Sequence, residues 1–276
     1  MNEIVQIGPL RLLSAYVFIL LLLFLTRNLG IRKEKEIIIS TVRMTLQLLA
    51  MGYILVYIFD YSRFYITLLI YAVMIFFAIR NIFSRVKTPV NAKLRKVIMV
   101  SMISGTVITA FYFLLLVINI EPWYEPRYFI PIAGMIIGNS MTGVSLGVER
   151  MIGEMKARKQ LVEGALMLGA TPGDATLPII KDVFTSAIMP TLNSMLGMGI
   201  IFLPGMMTGQ ILAGMSPLIA IEYQIAIMLA ILGSVSITLY MLIRFGYLTF
   251  FNKWSQLEES EVSNAHRGTN HKVLTP

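Results

Sequence analysis

The chain has 276 residues, of which 57% are hydrophobic and only 14% are charged, and it contains no cysteine. Soluble globular domains carry about 25% charged residues, so this composition is that of a membrane protein. The lack of cysteine excludes thiol catalysis, disulfides and cysteine-based metal sites.

Long apolar runs divide the chain into about seven predicted membrane spans. A helix needs about 20 apolar residues to cross a bilayer, and these runs lack the alternation that β-barrel strands show. We therefore predict an all-α, polytopic transmembrane protein, with spans at 10–26, 37–59, 64–83, 96–119, 129–151, 183–203 and 217–245. The spans form a transmembrane domain over residues 1–251, followed by a polar tail, 252–276, that we expect to be disordered.

The basic residues predict how the chain is oriented. Of the 23 lysines and arginines, 19 fall in one set of loops and the tail, and Arg11, Arg63 and Arg127 fall on the other side. The positive-inside rule then places the N-terminus outside and the C-terminus in the cytoplasm, in a multi-pass protein of the cell (inner) membrane. The net charge of +8 is thereby explained by topology and anionic lipid, without nucleic acid as a partner.

Spans two and five carry isolated ionisable residues close to the cytoplasmic face. Arg43 and Glu149 are predicted to form an intramembrane ion pair, and the alternative is that each reaches the headgroups alone. Span five also holds glycines spaced four residues apart, which favours close helix packing. Asn139, which lies among those glycines, is a candidate for the translocation path or for a bond between helices.

The cytoplasmic segment 154–182 has mixed polarity, unlike the spans on either side. Lys156 to Ala170 is typical of a helix with an apolar side formed by Leu161, Ala165 and Leu168, with Val162 and Leu166 as further candidates for that side. Gly169 and Pro172-Gly173 end that helix, and Asp174 or Thr176 is expected to cap the next one. We expect a partner to dock on this helix from the cytoplasm; the alternative is an amphipathic connector on the bilayer surface.

A helix break after span six predicts a gate near the outer face. Residues 204–217 are interpreted as a broken helix or re-entrant turn, and the alternative is a simple extracellular loop. The candidate path or gate residues here are Asn193, Pro204, Gly205, Gln210 and Glu222. Methionines cluster around span six, where packing is the favoured interpretation and binding of soft ions the alternative. No group of His, Asp and Glu has metal-site spacing, so the metal ligands are unknown.

Two parts of the sequence resemble known transporter families, and these resemblances imply a function. Glu163-Gly164-Ala165, then Gly169 and Ile179, resembles the EAA loop of ABC transporter permeases, a coupling helix held by the ATPase subunit. The segments GNSMTGVSLGVERM (138–151), EGALMLGATP (163–172) and LPGMMTGQILAGMSPLIAIEYQI (203–225) resemble the FetB/YbbM-type permease family. That resemblance implies a membrane subunit that exports iron or a related metal and pairs with a separate ATPase. It implies that Leu161, Glu163, Gly164, Ala165, Leu168, Gly169 and Ala170 couple to the ATPase.

The expected function is therefore that of the permease subunit of an ATP-driven ABC transporter, acting as a homodimer. The sequence contains no G-x-x-x-x-G-K-[ST] phosphate loop, so we expect no catalytic site or cofactor in this chain, with ATP and Mg²⁺ bound by the partner. The alternatives are an ATP-independent secondary metal carrier and a seven-span receptor.

Overall fold

The computed structural model describes residues 8–61, 63–86 and 90–258, and its regular structure is helical apart from two isolated β-bridges. The helices are α1 (Pro9–Ala15), α2 (Val17–Asn28), α3 (Glu34–Asp60), α4 (Phe64–Arg85), α5 (Ala92–Tyr112), α6 (Pro126–Ala157), α7 (Lys159–Met167), α8 (Pro172–Gly197), α9 (Gly205–Leu212) and α10 (Pro217–Gly246). A π-helical segment, Phe113–Ile118, extends α5, and a 3-10 turn, Tyr247–Phe250, extends α10. The predicted all-α class is confirmed.

Six helical stretches in the described residues are long and apolar enough to cross a membrane: Pro9–Asn28, Glu34–Asp60, Phe64–Arg85, Ala92–Ile118, Pro126–Ala157 and Pro217–Phe250. They correspond to predicted spans one to five and seven. The predicted sixth span, 183–203, differs from the structure at both ends. Helix α8 begins 11 residues earlier and ends at Gly197, because Lys181 and Asp182 lie within the helix and the backbone leaves it after Gly197.

The core lies among α4, α5, α6, α8 and α10, with α10 packed against α5, α6 and α8. Small residues allow these close approaches: a Cβ added to Gly143 would meet Val235 Cγ1 at 3.1 Å, and one added to Gly147 would meet Leu239 Cδ2 at 3.1 Å. The close helix packing predicted at these two glycines is therefore observed, and it joins helices of the same chain. Between α6 and α10, the buried hydroxyls of Ser140 and Ser234 form a hydrogen bond of 2.8 Å.

Helices α1 to α3 lie largely outside this core. The apolar window of the first stretch buries none of its residues, and Ile58 is the buried residue of α3. At the other end of the chain, the first residues of the predicted polar tail fold back on the core. Phe251 and Leu257 form a β-bridge and are both buried, so the segment 252–258 is placed against the helices. The remainder of the predicted tail, 259–276, lies outside the described residues.

Candidate functional site

Helix α7 is a nine-residue helix that ends in a well-defined stop. Gly169 has φ +92° and donates its N–H to the carbonyl of Leu166 at 3.0 Å, while Ala170 donates to the carbonyl of Ala165 at 3.0 Å. These two bonds form a Schellman motif, in which a glycine in the left-handed region closes the last helical turn. The predicted end of the helix at Gly169 is therefore confirmed, and the helix itself is shorter than the predicted 156–170.

The residue that caps the start of α8 differs from the two that were expected, Asp174 and Thr176. The cap of α8 is Thr171, whose Oγ1 accepts the N–H of Asp174 at 3.2 Å and donates to the Asp174 carboxylate at 2.6 Å. Asp174 and Thr176 lie inside α8 instead, and Thr176 Oγ1 bonds back to the carbonyl of Pro172 at 2.7 Å. Pro172 occupies the first helical position, where its missing N–H costs nothing.

A charged network fixes α7 at its first turn. Arg158, which lies between α6 and α7, donates from Nε to Glu154 at 2.8 Å and from Nη2 to Asp182 of α8 at 2.7 Å. Val162 is buried in the core next to this network. One arginine thus ties the start of α7 to the last turn of α6 and to the first half of α8.

The opposite side of α7 exposes large apolar side chains. Leu161 is 72% exposed, Met167 87% and Leu168 91%, and this set, with Trp254, is here called the docking face. The predicted apolar side is corrected in one respect, because Val162 points into the core and Leu161 and Leu168 point away from it. Ala165 and Gly164 are half-buried. Glu163 pairs with Lys159 at 3.5 Å along the helix.

The segment after α10 completes the docking face. A depression of about 500 Å³ is lined by Glu163, Leu166, Met167 and Ala170 of the α7 region and by Trp254 to Leu257. Trp254 is 83% exposed, and its loop is held by Asn252, whose Oδ1 accepts the N–H groups of Trp254 at 2.8 Å and Gln256 at 2.9 Å. Sequence reasoning missed Trp254, because the segment was assigned to a disordered tail.

The predicted break after span six is present, but it begins earlier. Residues 198–203 form a turn closed by a bridge between Met198 and Phe202, and Pro204 and Gly205 start the short helix α9. Between α8, α9 and α10 lies a cavity of about 400 Å³ lined by Met195, Met198, Gly199, Leu203, Met207, Ile221, Gln224, Ile225, Met228 and Leu229. Of the five methionines predicted to cluster around span six, three line this space (Met195, Met198 and Met207), and Met206 and Met215 do not.

Two amide oxygens near this break have no partner. Gln224 is buried on α10, where its Nε2 donates to Met198 Sδ at 3.7 Å and its Oε1 is unsatisfied. Gln210 on α9, a predicted gate residue, also has a buried, unsatisfied Oε1. A buried acceptor without a donor is costly and calls for an explanation such as a ligand or water. Gln224 was missed, although an amide within an apolar span is a recognisable signal.

The other candidate residues are not brought together. Asn139 is exposed and bonds back to the carbonyl of Met135 at 2.8 Å, and Asn193 is exposed on α8. Glu222 lines a different groove, between α5 and α10. Arg43 and Glu149 are both exposed, and no ion pair joins them in the described chain. Within the described ranges no group of three His, Asp or Glu residues is placed to hold a metal.

Known proteins match this chain over nearly its full length. It is 34% identical to the UPF0014 membrane protein YjkA of Bacillus subtilis, over 91% of this chain and 99% of the relative. It is 36% identical to Protein ALUMINUM SENSITIVE 3 of Arabidopsis thaliana (93% and 92%), and 32% identical to the probable iron export permease protein FetB of Escherichia coli (90% and 94%). No solved structure matches it. The model of the uncharacterised protein family UPF0014 matches residues 9–251, and this multi-pass membrane protein belongs to that family.

Proposed function

We propose that this chain is the membrane permease subunit of an ATP-driven ABC transporter that exports iron or a related metal. A separate cytoplasmic ATPase subunit docks on α7 and the adjacent Trp254 loop. The observation that supports this most is the docking face, since Leu161, Met167 and Leu168 are large apolar side chains held out on a short, tied-down helix. Exposed apolar groups of this kind mark sites that bind a protein or a membrane, and α7 lies outside the six stretches that could span the membrane.

The ion pairs of Arg158 at the start of α7 explain how ATP hydrolysis would be coupled to transport. Two permease chains form the transport pathway, and each receives one ATPase subunit that binds ATP and Mg²⁺. When ATP closes the ATPase pair, each α7 moves with its subunit. Arg158 links α7 to Glu154 of α6 and Asp182 of α8, so the movement reaches α8, which borders the cavity at Gln224. A ligand drives such a change only through different contacts in the two states.

The cargo assignment is supported by relatives and not by metal ligands. One relative is named for probable iron export and another for aluminium sensitivity. The methionine-lined cavity with the free oxygen of Gln224 is the best-formed internal space near the break. We place the cargo path there, with Gln210, Pro204 and Gly205 of the α9 region as the outer gate.

The test uses the docking face. In the reconstituted complex, we expect Leu168→Asp to abolish both stimulation of the ATPase by the permease and metal transport, because a carboxylate replaces a buried apolar contact at the interface. The matched control is Leu29→Asp, which changes a leucine that is 73% exposed at the end of α2, and it should leave both activities intact. Undiminished stimulation and transport in Leu168→Asp would refute the coupling role. Transport by the purified chain with an ion gradient and no ATPase would establish the secondary-carrier alternative.

A further inference from the structure

A second groove lies between α4 and α5, far from the docking face along the chain. Helix α4 packs mainly on α6, and α5 packs mainly on α10, so the two helices approach each other only weakly. The space between them has a volume of about 740 Å³. Its floor includes the buried Tyr71 and Ile75, and its walls include the exposed Phe76 and Ile103.

Two arginines close one end of this apolar groove. Arg80 and Arg95 both line it, and both are exposed. The Arg95 guanidinium lies 4.9 Å from the centre of the Phe83 ring, which holds it over the groove. Among the described residues no carboxylate lies within salt-bridge distance of either arginine. The end of the groove therefore carries two positive charges without an anion.

The dimensions of the groove match one leaflet of a bilayer. From Tyr71 to Phe83 the groove follows α4 for 12 helical steps, which is about 18 Å at a rise of about 1.5 Å per step. Half of the hydrocarbon core is about 15 Å deep. Arg80 lies in the penultimate turn of α4 and Arg95 in the first turn of α5, near the side that carries most of the basic loops, where anionic headgroups attract basic residues.

We infer that the α4–α5 groove binds one anionic phospholipid, with an acyl chain along Ile75, Ile79 and Ile103 and its phosphate between Arg80 and Arg95. Guanidinium groups bind phosphate oxygens in a bidentate manner, and the apolar walls favour a phosphate that carries an acyl chain over a water-soluble one. This site is independent of the proposed transport activity. It makes the anionic lipid a structural component that joins α4 to α5.

The test is native mass spectrometry of the full chain from mixed micelles that contain phosphatidylglycerol or phosphatidylcholine. We expect one phosphatidylglycerol molecule to be retained in preference to phosphatidylcholine. Each arginine beside an anionic headgroup contributes about a fivefold factor, so Arg80→Gln/Arg95→Gln should lower that preference about 25-fold. The matched control, Arg85→Gln/Lys96→Gln, removes two exposed charges nearby that do not line the groove, and it should keep the preference.

A third variant separates a groove site from general attraction to the membrane surface. Ala72 is exposed and lines the groove, so Ala72→Trp should fill it and displace the lipid while both arginines remain. An unchanged melting temperature in phosphatidylcholine verifies that this variant folds. The inference is overturned if Ala72→Trp retains the lipid, if the control pair loses it to the same extent, or if the Arg80/Arg95 pair behaves as the unmodified chain does.

Discussion

Single residues decide whether α7 presents a rigid docking face. Gly169 adopts φ +92° in open space, so its substitution tests backbone strain and not crowding. Gly169→Val places a β-branched residue in the left-handed region, which costs about 1–2 kcal/mol, and we expect the Schellman turn to open and ATPase stimulation to fall. Gly153→Ala is the control, because Gly153 is a helical glycine with nothing within 4 Å of an added Cβ. Equal stimulation in both variants would show that the turn does not position α7.

Gln224 offers a second test on a single residue, in which stability and transport change in opposite directions. Its buried Oε1 has no donor, and removing an unsatisfied buried group recovers about 1–3 kcal/mol. We expect Gln224→Met, which has a similar shape, to raise the melting temperature in detergent and to reduce transport. Met102→Leu, a volume-conserving change in the core away from the cavity, should alter neither by much. A lower melting temperature for Gln224→Met would mean that this oxygen has a partner in the native state.

The crossing of α5 and α10 depends on one glycine. A Cβ added to Gly105 would lie 3.1 Å from the Cα of Thr238, which is backbone and cannot rotate away. Overpacking of this kind costs about 1–3 kcal/mol, more than the helix gains from alanine, about 1 kcal/mol. We therefore expect Gly105→Ala to lower the melting temperature of the protein in detergent. Gly138→Ala, on α6 with open space around it, should raise the melting temperature slightly, and the same sign for both variants would contradict this packing.

At the scale of helices, the sequence predicts what is local and fails where the partner is distant. Gly169 and Pro172 mark the end of α7 because helix stops are set by neighbouring residues. The predicted sixth span begins at 183, after the charged Lys181 and Asp182, whereas α8 runs through both residues, and Asp182 pairs with Arg158, 24 residues away. The cavity at Gln224 combines residues from α8, α9 and α10, and no local pattern predicts which side chains share a space.

For the whole molecule, the central question is how many times the chain crosses the membrane. Six stretches satisfy the length and hydropathy of a span. Helix α8 has only 15 residues after its last charged residue, Asp182, about 22 Å of helix, which is less than the hydrocarbon thickness of about 30 Å. The turn at 198–203 and helix α9 would have to extend the crossing to the outer face. The proposed function requires that they do so, because α7 must face the ATPase and the break must face outward.

Cysteine labelling decides the topology, since the unmodified chain has no cysteine and therefore no background. We expect a membrane-impermeant maleimide added outside intact cells to label Gly8→Cys and Ser216→Cys. Gly153→Cys, near the inner end of α6, and Lys253→Cys should react only after the cells are opened. Residues 153 and 216 flank the α8–α9 segment, so their accessibility from opposite sides means that the segment crosses the membrane and gives seven spans. If both react from the same side, α8 and α9 return to the face on which they began, and the cavity at Gln224 does not lie on a path through the membrane.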